Sequence, residues 1–210
     1  MIDTLLRMLP VARTIDAAAN VGVRRRRYVV CTLHRPSNVD AAEPLRVILR
    51  ALGTVARDAD VVLPLHPRTR KRVEEFGLAA LLEPLLVTDP IGYTLMLGLQ
   101  AGASAVVTDS GGIQEETTVL GVPCVTVRES TERPITITAG TNRLAPWPLT
   151  EEGLIGAIVE ALGKEPAGVG TRAPEGWDGH AGERVVKAIL DSDLPGYGVP
   201  STLQLPAGKL

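Results

Sequence analysis

Val106-Val107-Thr108-Asp109-Ser110-Gly111-Gly112-Ile113-Gln114-Glu115-Glu116 is the stretch whose reading decides the fold. A short apolar, β-branched run stops at a polar Asp-Ser-Gly-Gly turn, and a helical segment opens at once and runs to Leu120, where Gly121 ends it. The order is strand, tight turn, helix, as in one half of a βαβ unit.

Outward from this stretch the same unit recurs. Residues 28–33 (YVVCTL) form a first strand, followed by a helix over 43–57 with Leu45, Ile48, Leu49 and Leu52 at helical spacing. Residues 61–65 (VVLPL) form a second strand, with Pro64 limiting its pairing, and 68–76 a basic-faced helix stopped by Gly77. A third strand at 85–88, a helix at 93–101, the fourth strand at 105–108, its helix at 112–120 and a fifth strand at 124–127 complete the series. The strands are apolar throughout instead of alternating, as required when helices cover both faces of a parallel sheet. The expected fold is α/β, a Rossmann-like doubly wound parallel sheet. Helices at 151–162 and 182–190 follow, separated by a Gly/Pro-rich stretch at 164–179. Residues 193–210 read as a flexible tail. Residues 2–9 carry a short helical pattern, but nothing before Tyr28 is long enough to make a domain.

Composition narrows the function classes. The chain has 210 residues, 45% hydrophobic and 22% charged, with aromatics at 3%, so its core is built from Val, Leu, Ile and Ala. A net charge of -2 gives no electrostatic reason for a nucleic-acid partner, and Arg24 to Arg27 read as a solvated approach to the first strand. Cys31 and Cys124 lie inside apolar runs without metal-ligand spacing, and read as buried reduced thiols. No apolar run of about eighteen residues or signal pattern is present, so neither a membrane partner nor a secreted location is expected, and the reading is cytoplasmic. Zinc and calcium spacings, the G-x-G-x-x-G fingerprint and the P-loop are all missing, so no metal or cofactor is expected.

Three loops carry the candidate chemistry. Ser110, Gly111 and Gly112 open a helix whose free N–H groups and dipole suit a phosphate, and Glu116 is placed to accept from ribose hydroxyls. His34 and Arg35 follow a strand, beside Ser37 and Asn38, and suit an anionic ligand or proton transfer. Arg133, in Thr131-Glu132-Arg133-Pro134, can offer a paired donor to a diphosphate, unless the loop is held merely by an ion pair of Glu132. His66-Pro67-Arg68-Thr69 ends the second strand and either lines the same cleft or faces solvent.

These segments together resemble the non-hydrolysing UDP-N-acetylglucosamine 2-epimerase family. The matching pieces are TLHRPSNVD (32–40), LPLHPRTRKR (63–72), TDPIGY (88–93), VVTDSGGIQEE (106–116), TERP (131–134) and AGTNRL (139–144), in the family's order, within a resemblance covering about residues 2–190. The resemblance implies the carboxyl-terminal domain of a two-domain GT-B-type fold, with the amino-terminal domain largely absent. Residues 1–24 would then be a remnant of that domain and its crossover helix, and 25–192 the UDP-binding domain. It implies an isomerase that interconverts UDP-N-acetylglucosamine and UDP-N-acetylmannosamine, precursors of cell-envelope polysaccharide, by eliminating UDP and adding it back. Ser110, Gly111, Gly112 and Arg133 would meet the diphosphate, Glu116 the ribose and Met96 the uracil. His34, the one catalytic candidate, would sit with Arg35 at the diphosphate near the sugar. The carboxylates that handle the C2 proton would belong to the other half, so this chain alone would be inactive. Expected partners are the two nucleotide sugars, a separately encoded amino-terminal half and a second copy of the chain. An apolar surface normally covered by that half would promote self-association. Ile135 stands where the family usually carries a glutamate, and residues 66–69 differ from members with a second substrate site, so no allostery is expected. The rival readings are the nucleotide-binding domain of a UDP-sugar glycosyltransferase and a non-catalytic UDP-binding fragment.

Overall fold

The computed structural model describes residues 1–191, and the tail expected at 193–210 lies outside the described residues. The chain opens with helices α1 (Ile2–Arg13) and α2 (Ala17–Asn20), then strand β1 (Tyr28–Thr32), α3 (Pro36–Val39) and α4 (Ala42–Val55). Next come β2 (Asp60–Pro64), α5 (Pro67–Glu75), a 3-10 turn, β3 (Leu86–Thr88), α6 (Tyr93–Gly102), β4 (Ala105–Thr108) and α7 (Gly111–Leu120). The series closes with β5 (Cys124–Thr126), α8 (Ile135–Thr138), β6 (Asn142–Leu144), α9 (Glu151–Leu162) and α10 (Ala181–Leu190).

The strands form one six-stranded sheet in the order β3-β2-β1-β4-β5-β6, every pairing parallel. The doubly wound reading therefore holds. The chain winds outward through β2 and β3, returns to the centre at β4 and winds the other way. Between β1 and β4 the order reverses, and the crevice outside the carboxyl ends of such strands is where open α/β sheets bind ligands. The sixth strand was not among the five expected from the sequence. Asn142–Leu144 instead pairs with β5 in register Cys124↔Asn142. Three residues, two of them polar, carry no apolar run, and an edge position asks for none.

Burial explains the apolar strands. Val29 and Cys31 of β1 enter one core with Val61, Leu63, Val107 and Val125, beneath α4 and α9. Tyr28 and Val30 enter the other with Val62, Val106 and Cys124, beneath α1, α6 and α7. Successive side chains serve opposite cores, so both must be apolar. Cys31 and Cys124, free and buried, fall in different cores with the sheet between them. On α4, Leu45, Ile48, Leu49 and Leu52 are fully buried, and trimming any one to Ala would cost about 2–5 kcal/mol.

The first helix runs past the expected end at residue 9 to Arg13, because Pro10 sits on its exposed face while Leu5, Leu9 and Ala12 bury the other. A Cβ at Gly98 would lie 3.0 Å from the Ala12 carbonyl oxygen and from the Ala17 Cβ, so a bare glycine lets α1 and α2 settle on α6.

Candidate functional site

At the point where the winding reverses, the Thr32 and Thr108 hydroxyls are 2.7 Å apart, tying the ends of β1 and β4 together. Two loops leave from here, the segment from His34 to Asn38 and the Asp109-Ser110 turn into α7. Thr108 Oγ1 also accepts from the Ser110 N–H at 3.0 Å, which aims the turn. Ser110 is the N-cap of α7 but its side chain makes no capping bond, and the first intrahelical bond goes from the Gln114 N–H to the Ser110 carbonyl. The Gly111, Gly112 and Ile113 amides therefore point out of the helix start without an acceptor among the described residues, as first-turn amides do. With the helix dipole behind them they have the arrangement that favours a bound anion.

Asp109 is fully buried and organises the facing loop. It accepts from the His34 N–H at 3.1 Å, the Arg35 N–H at 2.9 Å and Asn38 Nδ2 at 3.1 Å. His34 Nδ1 lies 2.9 Å from its Oδ1. Burial alone would raise this carboxyl, but these donors hold it below the ordinary range. The same hydrogen bond pushes the His34 imidazole above its ordinary value, against partial burial and the positive Arg35 and Arg68.

The loop carrying Arg133 closes the third side. Gln114 of α7 is fully buried: its Oε1 accepts from Thr131 Oγ1 at 2.6 Å, and that oxygen accepts from the Arg133 N–H at 3.0 Å. Arg133 Nε sits 2.5 Å from Glu115 Oε1, and the guanidinium lies 3.9 Å from where a Gly111 Cβ would stand. Glu132 does make the loop ion pair, with both its oxygens 2.6 Å from Arg128, which holds its carboxyl down to about 2. Arg35 donates from Nε to the Asp109 carbonyl at 3.0 Å and lies 3.7 Å from Glu132, so its guanidinium ties the two loops together.

Met96 lies on the other flank, in a cleft of about 160 Å³ shared with His34, His66, Pro90 and Ile91. His66 caps α5, its Nδ1 accepting from the Arg68 N–H at 3.2 Å, and its ring stands 6.2 Å from that of His34. Arg68 and Arg72 pair with Asp40, an outward-facing network. Glu116 lies on the buried face of α7, only 6% exposed, where Gln100 Nε2 donates to it at 2.9 Å. Burial raises its carboxyl above the ordinary range, although bonds from Gln100 and Tyr93 oppose this. Tyr93 is itself raised to about 12 by burial and this neighbour.

His34, Arg35, Met96, Ser110, Gly111, Gly112, Glu116 and Arg133 thus come from four separate segments to one end of the sheet. Sequence reasoning gave no role to Asp109, Gln100 or Gln114. A carboxylate directly after an apolar strand was the available signal for Asp109, while the two glutamines gave none.

A doubly wound α/β domain with open helix-start amides where its strand order reverses is the class that this fold and site define. The chain belongs to the UDP-N-acetylglucosamine 2-epimerase family, whose sequence model matches residues 1–190. It is 36% identical over 197 residues to the UDP-N-acetylglucosamine 2-epimerase of Methanocaldococcus jannaschii, covering 90% of this chain and 52% of that protein. A UDP-2,3-diacetamido-2,3-dideoxy-D-glucuronate 2-epimerase from Pseudomonas aeruginosa is 43% identical over 118 residues, 56% of this chain and 32% of that one. The crystal structure of the Methanocaldococcus jannaschii UDP-GlcNAc 2-epimerase in complex with UDP-GlcNAc and UDP superposes with a TM-score of 0.77 at 34% identity, over 91% of this chain and 53% of that chain. The chain spans about half, or less, of the length of the curated relatives it matches. Among the described residues no helix is long and apolar enough to cross a membrane.

Proposed function

We propose that this chain is the UDP-gripping half of a UDP-N-acetylglucosamine 2-epimerase, interconverting UDP-N-acetylglucosamine and UDP-N-acetylmannosamine in the cytoplasm. The observation that carries this reading is the convergence of three open α7 amides, the Arg133 guanidinium and the His34 imidazole on one crevice, with a carboxylate buried behind them. Such a crevice suits a diphosphate with a ribose attached. Glu116 accepts from the ribose hydroxyls, and the cleft beside Met96 receives the uracil.

In the reaction the C2 proton leaves, the C1–O bond breaks and its electron pair departs with UDP, leaving a bound glycal. UDP then adds back at C1 while a proton returns to the opposite face of C2. Charge builds on the leaving diphosphate as the C1–O bond opens. Fixed donors aimed there stabilise that transition state, because they need no reorganisation when the charge appears. The groups that move the C2 proton are assigned to the other half of the enzyme, so this half holds UDP without turning it over. Arg133 is drawn away from Glu115 when diphosphate binds, exchanging one anionic partner for another. The Pseudomonas aeruginosa relative acts on a different UDP-sugar, which favours a second reading at the level of the sugar alone: this half recognises UDP and leaves the choice of sugar to its partner.

Calorimetric titration of the chain with UDP, with ADP and Glu116→Ala as controls, tests the reading. UDP binds, ADP does not, and the substitution weakens UDP. A folded chain that ignores UDP, or takes ADP equally, overturns it. Transfer of sugar to an acceptor by the chain joined with its other half would replace it with a glycosyltransferase.

A further inference from the structure

The Asp109 carboxylate lies in the site but is too deeply buried to reach a ligand. It gathers the His34 and Arg35 amides, the Asn38 side chain and the His34 ring, the last at 2.9 Å through Nδ1. A buried carboxylate that accepts from Nδ1–H fixes which ring nitrogen keeps its proton. The His34 side chain is 45% exposed, so its remaining polar atom, Nε2, lies on the open side of the ring, away from Asp109.

We infer that Asp109 is a positioning residue for His34: it holds the Nδ1–H edge of the imidazole so that Nε2 is the edge presented to the ligand's diphosphate. This deepens the proposed function and rests on it for the identity of the anion. When the ring is protonated, Nε2–H donates a charge-assisted bond to a phosphate oxygen while Nδ1–H stays with Asp109, and both ends of the imidazolium face negative charge. When the ring is neutral, the Asp109 bond keeps the proton on Nδ1, and Nε2 becomes an acceptor facing an anion. Binding is therefore strong below the imidazole's folded pKa and weakens as pH rises through it. That pKa lies above the ordinary 6.5, because the Asp109 bond outweighs burial and the opposing charges of Arg35 and Arg68. His66, whose ring stands 6.2 Å away, is the other titratable group facing His34.

Two measurements on the whole chain test this. Nitrogen-15 correlation spectra of the ligand-free protein read the His34 tautomer directly. The expectation at high pH is a protonated Nδ1 and a bare Nε2, with a midpoint above that of a histidine peptide. A proton on Nε2 in the neutral ring overturns the inference without needing any variant to fold. Affinity for UDP-N-acetylglucosamine, followed from pH 5 to 9, gives the second reading, since both its phosphates are esterified and keep their charge over that range. The expectation is a loss of about tenfold through the His34 midpoint, absent in His34→Gln and shifted to lower pH in Asp109→Asn. A wild-type profile that Asp109→Asn or His34→Gln fails to change overturns the role given to Asp109. A chain with the expected tautomer that binds no nucleotide sugar at any pH overturns the nucleotide reading instead.

Discussion

Glu116→Gln should make the protein more stable and a poorer binder at once. The carboxylate is 6% exposed, and burial raises its pKa above the ordinary range, so its charged form is less favourable in the folded protein than in water. For such a group the destabilisation is absent below the unfolded value, 4.5, and is present in full above the raised folded one. At neutral pH the native chain therefore carries it. Next to Glu116, Gln100 donates through Nε2 while its own Oε1 has no partner. An amide at position 116 keeps an acceptor for Gln100 Nε2 and adds an N–H donor, the kind of partner that the orphaned oxygen lacks among the described residues. Satisfying one buried acceptor is worth about 1–3 kcal/mol. Taking the lower end, about 1 kcal/mol raises the melting temperature by roughly 2–4 °C in a domain of this size. On the proposed function the ribose loses a charged acceptor, worth about 1.5–3 kcal/mol, so UDP affinity falls roughly tenfold to a hundredfold. Thermal unfolding with and without UDP reads both effects: the ligand-free midpoint rises and the UDP-induced increment shrinks. A ligand-free midpoint that falls by several degrees would refute the account of Glu116 as an anion held at a cost for its ligand. Unchanged UDP affinity would refute its role at the ribose.

Gly111→Ala should leave the fold nearly untouched, since the nearest atoms to the added Cβ belong to Arg133 at 3.9 Å, an ordinary contact. Stability stays within about 1 kcal/mol while UDP affinity falls tenfold or more in calorimetry, because the methyl would stand where the proposed diphosphate site lies. Acid should loosen the crevice. The Asp109 carboxyl is depressed, so its contribution is present above the unfolded value of 3.8 and is lost as pH falls through the lower folded one. Urea midpoints measured from pH 6 to 3 should drop less in Asp109→Asn than in the native chain. On α10, Val185, Val186 and Leu190 are each more than half exposed, and the chain should self-associate at high concentration. Sedimentation should show the oligomer and its loss in a Val185→Glu, Val186→Glu double variant, whereas a monomer throughout would remove this reading.

What could be read from the sequence follows the physics of each element. Strands buried on both faces must be continuous apolar runs, so β1, β2, β4 and β5 were visible, as was the end of α7 at Gly121, whose φ of +75° suits glycine. β6 was not, because its pairing with β5 is set by backbone geometry and its residues need not be apolar. The candidate loops were legible as polar turns after strands, which singled out Ser110, Gly111, Gly112, His34 and Arg133 without showing how they are held. Their supports are long-range. Asp109 reaches His34 across 75 positions and Gln114 reaches Thr131 across 17, and no local pattern encodes such meetings.

The alternation of the strands between two cores also limits how the sequence can drift. Each central strand residue belongs to one helical layer and its neighbour to the other. A substitution is thus judged by one layer alone. A single inserted or deleted residue within β4 would exchange the layers for every position beyond it, and would turn Asp109 away from His34 in the same step. Length changes should therefore be confined to connections such as residues 164–179, while β1 and β4 keep their spacing to the site even as their side chains vary.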